Sequence, residues 1–161
     1  QPTRRKGIAR MNLGMGNWYA VKDGDPRAVS LYQRHYSARK SNASFEKRLR
    51  YGVSGVGQSM VLITPEADAL FVWQHSTIER YDHQVGVNCS VFRNEGQVQS
   101  SDLIREASSL AWGRWPSKRL WTYVWDEEVR SVNPGYCFKM AGWKNCGRNK
   151  DGRLTILEKL P

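Results

Sequence analysis

The pattern of hydrophobic and polar positions changes period along the chain, and these changes mark the predicted elements. Two hydrophobic runs flank a short turn at residues 65–68, which predicts a β-hairpin over residues 59–75. Aliphatic, β-branched and aromatic runs predict further strands at residues 85–94, 119–124 and 153–160. We expect these strands to form one sheet.

A first helix is predicted just before the hairpin. Asp25 followed by Pro26 is typical of a helix start, because the carboxylate caps free N–H groups and proline suits the first helical position. The residues that follow place three large side chains on one face: Val29, Tyr32 and Tyr36. Residues 41–50 are polar and basic, which predicts a loop or a frayed helix.

Two more helices are predicted in the second half of the chain. Residues 100–115 have the clearest amphipathic pattern, and serines and Asp102 stand at their start. The predicted buried stripe of this helix is Leu103, Ile104, Ala107, Leu110 and Ala111. Further on, Asn133-Pro134 forces a turn before a short helical segment at residues 135–141.

Length and composition predict a single domain over residues 1–161. The chain is 40% hydrophobic, and a chain of this size buries one core. Residues 1–16 contain glycine and proline breaks without periodicity, and we interpret them as a basic N-terminal arm. No apolar run approaches the roughly 18 residues of a membrane span and no secretory pattern is visible, so we expect no membrane partner and a cytoplasmic location. Three cysteines without metal-ligand spacing predict reduced thiols.

The charge balance points to a polyanionic partner. The net charge is +10 at pH 7, which favours nucleic acid or the phosphates of a cofactor. Two basic clusters are candidate DNA contacts: Arg4, Arg5, Lys6 and Arg10 in the arm, and Arg34, Arg39 and Lys40 after the first helix. The alternative is that each cluster is only a solvated basic surface. Some of the seven tryptophans are candidates for stacking on bases, although most should belong to the core.

The C-terminal third resembles the second half of a GNAT acyltransferase. A strand, a short helix led by asparagine, a glycine–aromatic pair and a closing strand follow one another, and the matching positions are Asn133, Phe138, Lys139, Gly142 and Trp143. The resemblance implies an α+β fold with a mixed, mainly antiparallel sheet flanked by helices. It also implies that the sheet splits between the strands at residues 85–94 and 119–124.

A GNAT protein holds the pyrophosphate of acyl-CoA in the loop before its long helix. The donors are backbone N–H groups at a helix N-terminus. The resemblance therefore implies acetyl-CoA, or another acyl or glycine-type donor, at Phe92, Arg93, Asn94, Gly96, Ser100 and Ser101. Only Arg93 and Gly96 fit the family loop pattern, and Glu95 would repel a phosphate. The alternative is a tight turn that needs Gly96 and binds nothing.

Four residues carry a narrower resemblance. His35-Tyr36 lies in a basic segment, and Asp126 and Tyr136 lie ten residues apart. This arrangement is similar to the Mom-type DNA modification enzymes of phages. In the absence of that resemblance, His35 is an exposed residue at a helix end and Tyr36 a core residue.

The Mom-type resemblance implies a function and a site. The activity would add a carbamoylmethyl group to adenine N6 in double-stranded DNA, in the cytoplasm of a bacterial host cell, and would protect phage DNA from restriction. His35, Tyr36, Asp126 and Tyr136 would be catalytic, and His35, Tyr36 and Asp126 would be candidate ligands of an iron centre. The alternatives are an ordinary N-acetyltransferase that uses acetyl-CoA and a non-catalytic nucleic-acid-binding domain. The oligomeric state stays open, with a homodimer as one alternative.

Overall fold

The computed structural model describes residues 16–39, 43–128 and 133–161, which form a mixed α+β fold around one open sheet. The sheet has seven strands within these ranges, in the order β1-β2-β3-β4-β5-β7-β6. The strands are β1 (Tyr19–Val21), β2 (Gln58–Ile63), β3 (Ala69–His75), β4 (Val87–Asn94), β5 (Leu120–Trp125), β6 (Lys144–Arg148) and β7 (Leu154–Lys159). The helices are α1 (Pro26–Gln33), α2 (Tyr36–Arg39), α3 (Phe45–Tyr51), α4 (Ser100–Arg114) and α5 (Tyr136–Met140).

The strands β4 and β5 form the one parallel pair in this sheet, and they pair over only three positions: Val87 with Leu120, Asn88 with Trp121 and Cys89 with Thr122. The prediction that these two strands are neighbours is confirmed. On its other side, β4 pairs with β3 through a shifted register, in which Val91 faces Val72 and Cys89 faces Trp73. Ser90 is therefore an extra residue, and such a bulge bends a strand and redirects its side chains.

Two hydrophobic cores cover the two faces of the sheet. The predicted stripe of α4 is buried, and it packs on one face together with Trp73 and Val124. The indole of Trp73 donates a hydrogen bond to the carbonyl oxygen of Ala107 (2.9 Å), which fixes the helix against the sheet. On the other face, α1 buries Val29 and Tyr32 against β2, β3 and β4.

The first helix is shorter than predicted, and this changes the position of Tyr36. The helix begins as predicted, since Asp25 accepts a hydrogen bond from the Arg27 N–H (2.9 Å), but it ends at Gln33. After it the backbone turns at His35, and Ser37 donates its N–H to the His35 ring (3.2 Å). Tyr36 therefore begins α2 and does not continue the face formed by Val29 and Tyr32.

Three other elements differ from the sequence prediction. The basic stretch contains a defined helix, α3, whose N-cap Ser44 accepts a hydrogen bond from the Lys47 N–H (3.2 Å). The edge strands β1 and β6 were not predicted, because β1 has only three residues and every residue of β6 is exposed. The predicted basic arm lies almost wholly outside the described residues. Among those residues, no helix is long and apolar enough to cross a membrane.

We expect the start of the parallel pair to be sensitive to a single methyl group. Gly86 has a φ of +103°, and a Cβ at this position would overlap the carbonyl oxygen of Arg119. Gly86→Ala should therefore lower the free energy of unfolding by about 2–4 kcal/mol, measured by urea denaturation.

The matched control is Gly113→Ala on the exposed side of α4, where the added Cβ would have no neighbouring atom within 4 Å. This change should raise stability by about 0.5–1 kcal/mol. Equal stability of Gly86→Ala and the parent would contradict the close approach.

Candidate functional site

A cleft of about 140 Å³ opens where β4 and β5 separate. We call it the central cleft. Both strands, the α1–α2 turn and α5 contribute to its walls, which comprise His35, Tyr36, Cys89, Ser90, Val91, Phe92, Thr122, Tyr123, Val124, Gly135, Cys137 and Phe138. The predicted His-Tyr pair and the predicted strands therefore meet in one place, although more than fifty residues separate them in sequence.

A second depression of about 250 Å³ continues from the central cleft, and we call it the aromatic trough. It is lined by Tyr36, Ser37, Asn88, Cys89, Ser90, Tyr123, Trp125 and Leu154. The two spaces share Tyr36, Cys89, Ser90 and Tyr123. A group bound in the trough would therefore lie beside the point where the two strands part.

His35 is buried, with 6% of its surface exposed, and its ring is oriented by Ser37. The Nδ1 atom lies 2.7 Å from the Ser37 hydroxyl and accepts the Ser37 backbone N–H. A backbone N–H can only donate, so Nδ1 is the unprotonated nitrogen and the neutral ring carries its proton on Nε2. The expectation that a lone histidine here would be exposed is wrong, because the turn folds the ring inward against Tyr36 (centroids 4.1 Å apart).

Tyr36 is kept neutral by its surroundings. Burial raises the pKa of its phenol to about 12, and the nearby Cys89 adds to the shift, whereas a hydrogen bond from the Trp125 backbone opposes it. The ring also meets that of Trp125 edge to face, with centroids 6.1 Å apart. At neutral pH the phenol is therefore a hydrogen-bonding group and an aromatic surface, and it carries no negative charge.

Asp126 and Tyr136 lie outside both spaces in the described part of the chain. Asp126 follows β5, where its Oδ2 accepts a hydrogen bond from the Thr155 hydroxyl (3.0 Å) and pairs with Arg148 (3.1 Å). Its Oδ1 is buried without a partner among the described residues. Tyr136 begins α5 and is 55% exposed. The structure thus brings His35 and Tyr36 together, whereas Asp126 and Tyr136 do not line either space, although each is next in sequence to a residue that does.

The predicted pyrophosphate loop is largely satisfied by its own hydrogen bonds. The Gly96 N–H donates to the Asn94 side chain (2.9 Å), and the Asn94 amide donates to the Val98 carbonyl (2.7 Å) and the Ser100 hydroxyl (3.0 Å). A Cβ on Gly96 would overlap the Asp68 carboxylate, so a tight turn already requires glycine here. Ser101 is buried, and Phe92 lines the central cleft.

Glu95 holds two of the predicted phosphate-binding arginines. Arg34 approaches its carboxylate with two nitrogens (2.7 and 2.8 Å), and Arg93 pairs with the same group. Hydrogen bonds from Arg34, followed by those from Arg93, lower the pKa of Glu95 to about 2. We call this group the Glu95 clamp. It leaves Arg34 and Arg93 less available to a phosphate than the sequence prediction requires.

The other predicted DNA contacts lie outside the described residues. These are Arg4, Arg5, Lys6, Arg10 and Lys40, together with the side chain of Arg39. Their role therefore stays a prediction.

The described residues do not offer an evident iron site. Among them, no group of three or more histidine, cysteine, aspartate or glutamate side chains lies close enough to hold a metal ion. Of the predicted ligands, the Nδ1 atom of His35 is engaged by Ser37, Tyr36 is a neutral phenol, and Asp126 is paired with Arg148. Iron stays a prediction, and no chemical step below depends on it.

Sequence reasoning missed the polar residues of the strands themselves. The Oδ1 atom of Asn88 and the hydroxyl of Ser90 are buried in the site without a partner among the described residues. Tyr123 donates its hydroxyl to Asp82 (2.9 Å), and Asp82 in turn is paired with Arg80 (2.8 Å). A signal was present, because Asn88 and Ser90 are polar at alternate positions of an otherwise buried strand, which places both on one face.

The fold and the site together define a mixed α+β protein with a cleft between two diverging parallel strands. No protein-family model matches this chain, and no curated protein matches it. The resemblance to GNAT proteins therefore stays a prediction.

The buried phenol gives a prediction that does not depend on activity. Tyr36→Phe should remove one tyrosine that ionises near pH 12. The measurement is the tyrosinate absorbance of the parent minus that of the variant during a titration with base. The folded state keeps this proton after an unfolded tyrosine, with a pKa of about 10, has lost it. The free energy of unfolding should therefore fall more in the parent than in the variant as the pH rises from about 10 to about 12. A difference spectrum with a midpoint near pH 10 would contradict the burial.

Proposed function

We propose that this protein is a GNAT-like transferase that modifies adenine N6 in DNA with a carbamoylmethyl-type group, as the Mom-type enzymes do, and so protects phage DNA from restriction. One observation carries the proposal: the adjacent His35 and Tyr36 line the cleft at the point where the parallel strands β4 and β5 part. The net charge of +10 supports a nucleic acid as the acceptor.

The chemistry requires a protected, orienting site. Adenine N6 is a weak nucleophile, because its lone pair is delocalised into the ring, and in a duplex it is engaged in base pairing. An enzyme that acts there must take the base out of the stack. In the transfer, N6 loses a proton and bonds to the carbon of the incoming group, and the leaving group of the donor takes the electron pair of the broken bond.

The chain supplies groups for each part of that step. Tyr36 offers a neutral hydroxyl and an aromatic face, and the proton on His35 Nε2 makes that ring a hydrogen-bond donor in its neutral state. Asp126 is the proposed proton acceptor: it directly follows Trp125, which lines the trough, and its carboxylate would leave Arg148 and Thr155 to reach the base. Tyr136, at the start of α5, is proposed to orient the donor.

The donor is proposed to enter from the α5 side. The α5 residues Cys137 and Phe138 line the central cleft, and Phe138 packs against Phe92 of β4 (centroids 5.8 Å apart). An apolar passage of this kind suits the arm of an acyl or glycine-type donor. The Glu95 clamp disfavours a pyrophosphate at Arg93, and this counts against the alternative of an ordinary acetyl-CoA-dependent N-acetyltransferase.

The reaction is tested directly by nucleoside mass spectrometry of plasmid DNA from cells that express the protein. We expect a modified deoxyadenosine in the parent, and the mass increment identifies the transferred group. Tyr36→Phe and Asp126→Ala should reduce the modified fraction at least about tenfold, as the loss of a positioned acid–base or orienting group does. The control Tyr51→Phe changes an exposed tyrosine of α3 and should retain full modification.

Each variant must first be shown to be folded by circular dichroism and to bind DNA. Full modification by both Tyr36→Phe and Asp126→Ala would refute the assigned roles. The absence of any modified nucleoside in the parent, together with intact DNA binding, would favour the non-catalytic alternative.

The Glu95 clamp gives a separate prediction for DNA binding. Glu95→Gln removes the carboxylate that holds Arg34 and Arg93, so it should tighten duplex binding about two- to tenfold at low salt. The slope of log K against log salt should steepen by about 1–2, because each arginine that reaches a phosphate releases a counterion. Binding is measured by fluorescence anisotropy over a salt series.

The matched control is Glu66→Gln, which makes the same charge change on the exposed β2–β3 turn. If both variants change binding equally, net charge alone is responsible and the clamp has no specific role. Binding that does not depend on salt would contradict phosphate contacts altogether.

A further inference from the structure

We propose that the aromatic trough is a nucleobase pocket in which Asn88 and Ser90 recognise the amino edge of adenine and reject guanine. The inference rests on the proposed function in one respect, namely that the base delivered to the trough is the one modified in the central cleft. The recognition itself is a binding property, and it can be measured without any reaction.

The first observation is the shape of the trough. Tyr36 of α2 forms one side, and Tyr123 and Trp125 of β5 form another. The rings of Tyr36 and Trp125 meet edge to face at 74°, and the Tyr123 hydroxyl is held by Asp82 (2.9 Å). Aromatic side chains fixed in this way offer a flat surface for a base, because every base has a π-face.

The second observation is that polar atoms in the trough have no partner. Asn88 is 8% exposed, and its Oδ1 is buried without a hydrogen bond among the described residues. The hydroxyl oxygen of Ser90 is likewise buried without a hydrogen bond among the described residues. Buried polar groups are almost always hydrogen-bonded, so each exception calls for an explanation. A ligand that pairs with both groups explains both exceptions.

The strand geometry explains why these two groups act together. Asn88 and Ser90 are two residues apart on β4, and both line the trough. Ser90 is the extra residue of the bulge opposite Val72 and Trp73. A bulge redirects a side chain, and bulges are frequent next to active sites. The two polar groups therefore lie on the side of β4 that borders the trough.

The chemistry of the two groups matches one kind of base edge. A carbonyl oxygen such as Asn88 Oδ1 accepts a hydrogen bond, and a serine hydroxyl can donate one. Adenine presents an N6 amine that donates, next to the N1 nitrogen that accepts. One N6 hydrogen would bond to Asn88, and N1 would accept from Ser90. Guanine presents a carbonyl oxygen in place of the amine, which sets acceptor against acceptor at Asn88 Oδ1. Its N1–H can still donate to the Ser90 hydroxyl, because a hydroxyl also accepts, so Asn88 carries the discrimination and Ser90 holds either base.

The orientation also presents the reacting atom to the central cleft. Ser90 and Tyr36 line both spaces, so a base whose edge meets Ser90 points its exocyclic amine towards the gap between β4 and β5. With one N6 hydrogen held by Asn88, the other is directed towards the gap. The pocket thus accounts for which base is chosen and for which atom of it is exposed.

The test measures binding of deoxyadenosine and deoxyguanosine 5′-monophosphates to the full chain by calorimetry. The two probes have the same charge and nearly the same size, so a difference in affinity reports the base edge. We expect the adenine nucleotide to bind at least about tenfold more tightly, because guanine leaves buried groups unpaired. Asn88→Leu should reduce that ratio about fivefold or more, whereas Ser90→Ala should weaken the binding of both nucleotides. Ser90→Thr, which keeps the hydroxyl, should preserve most of the affinity.

The control is Ser109→Ala on the exposed side of α4, which should leave both affinities unchanged. Equal affinity of the parent for the two nucleotides, no measurable binding of either, or an unchanged ratio in folded Asn88→Leu would overturn the pocket. If Asn88→Leu does not fold, Asn88→Ala makes the same test of the ratio.

The outcomes separate this inference from the proposed reaction. An adenine preference that the Asn88 variant loses, in a protein that leaves plasmid DNA unmodified, would support the pocket and reject the reaction. Modified adenine in DNA together with an unchanged nucleotide ratio in the Asn88 variant would do the reverse.

Discussion

The short parallel pairing of β4 with β5 is the constraint on which the rest of the site depends. The strands are joined over three positions only, and the Thr122 hydroxyl then donates to the Cys89 carbonyl (2.8 Å) where the pairing ends. Beyond this hydrogen bond the strands part, and both faces of the sheet have access to one opening. Longer pairing would close the cleft, and a missing pair would separate the walls that hold His35 from those that hold Phe138.

The opening is largely uncharged, although the protein is strongly basic. The phenol of Tyr36 stays neutral because burial raises its pKa, and burial raises the pKa of the Cys89 thiol as well. Arg34 and Arg93 are held in ion pairs by Glu95, and Arg80 is held by Asp82. Such an environment strengthens each hydrogen bond made inside it, because little water competes. The basic charge is thus left to act at longer range, where it attracts a polyanion.

Under the proposed reaction one site would have to hold two substrates, and its two sides differ in chemistry. The α5 side of the cleft is apolar, whereas the trough side carries Asn88 and Ser90 between aromatic rings. A donor and an acceptor entering from opposite faces would meet at Ser90 and Tyr36, which line both spaces. The bulge in β4 is what gives Ser90 this double position, since a regular strand would pair it against β3.

The sequence by itself determined the elements whose periodicity is strong. The hairpin, β4, β5, β7 and α4 follow from patterns that burial imposes over six or more residues. The start of α1 follows from the capping carboxylate of Asp25 and from Pro26. It also indicated that His35 and Tyr36 belong near the split in the sheet. The sequence did not predict the edge strands β1 and β6, since a short or fully exposed strand shows no alternation of hydrophobic and polar residues.

Only the tertiary structure decided which polar groups are paired. Glu95 pairs with Arg93 and also with Arg34, which follows α1 and lies 61 residues away in the chain. Asp126 pairs with Arg148 and accepts a hydrogen bond from Thr155. It likewise decided that Asn88 and Ser90 stay without partners among the described residues. Pairing of this kind depends on distances between segments remote in the chain, and spacing along a sequence does not contain those distances.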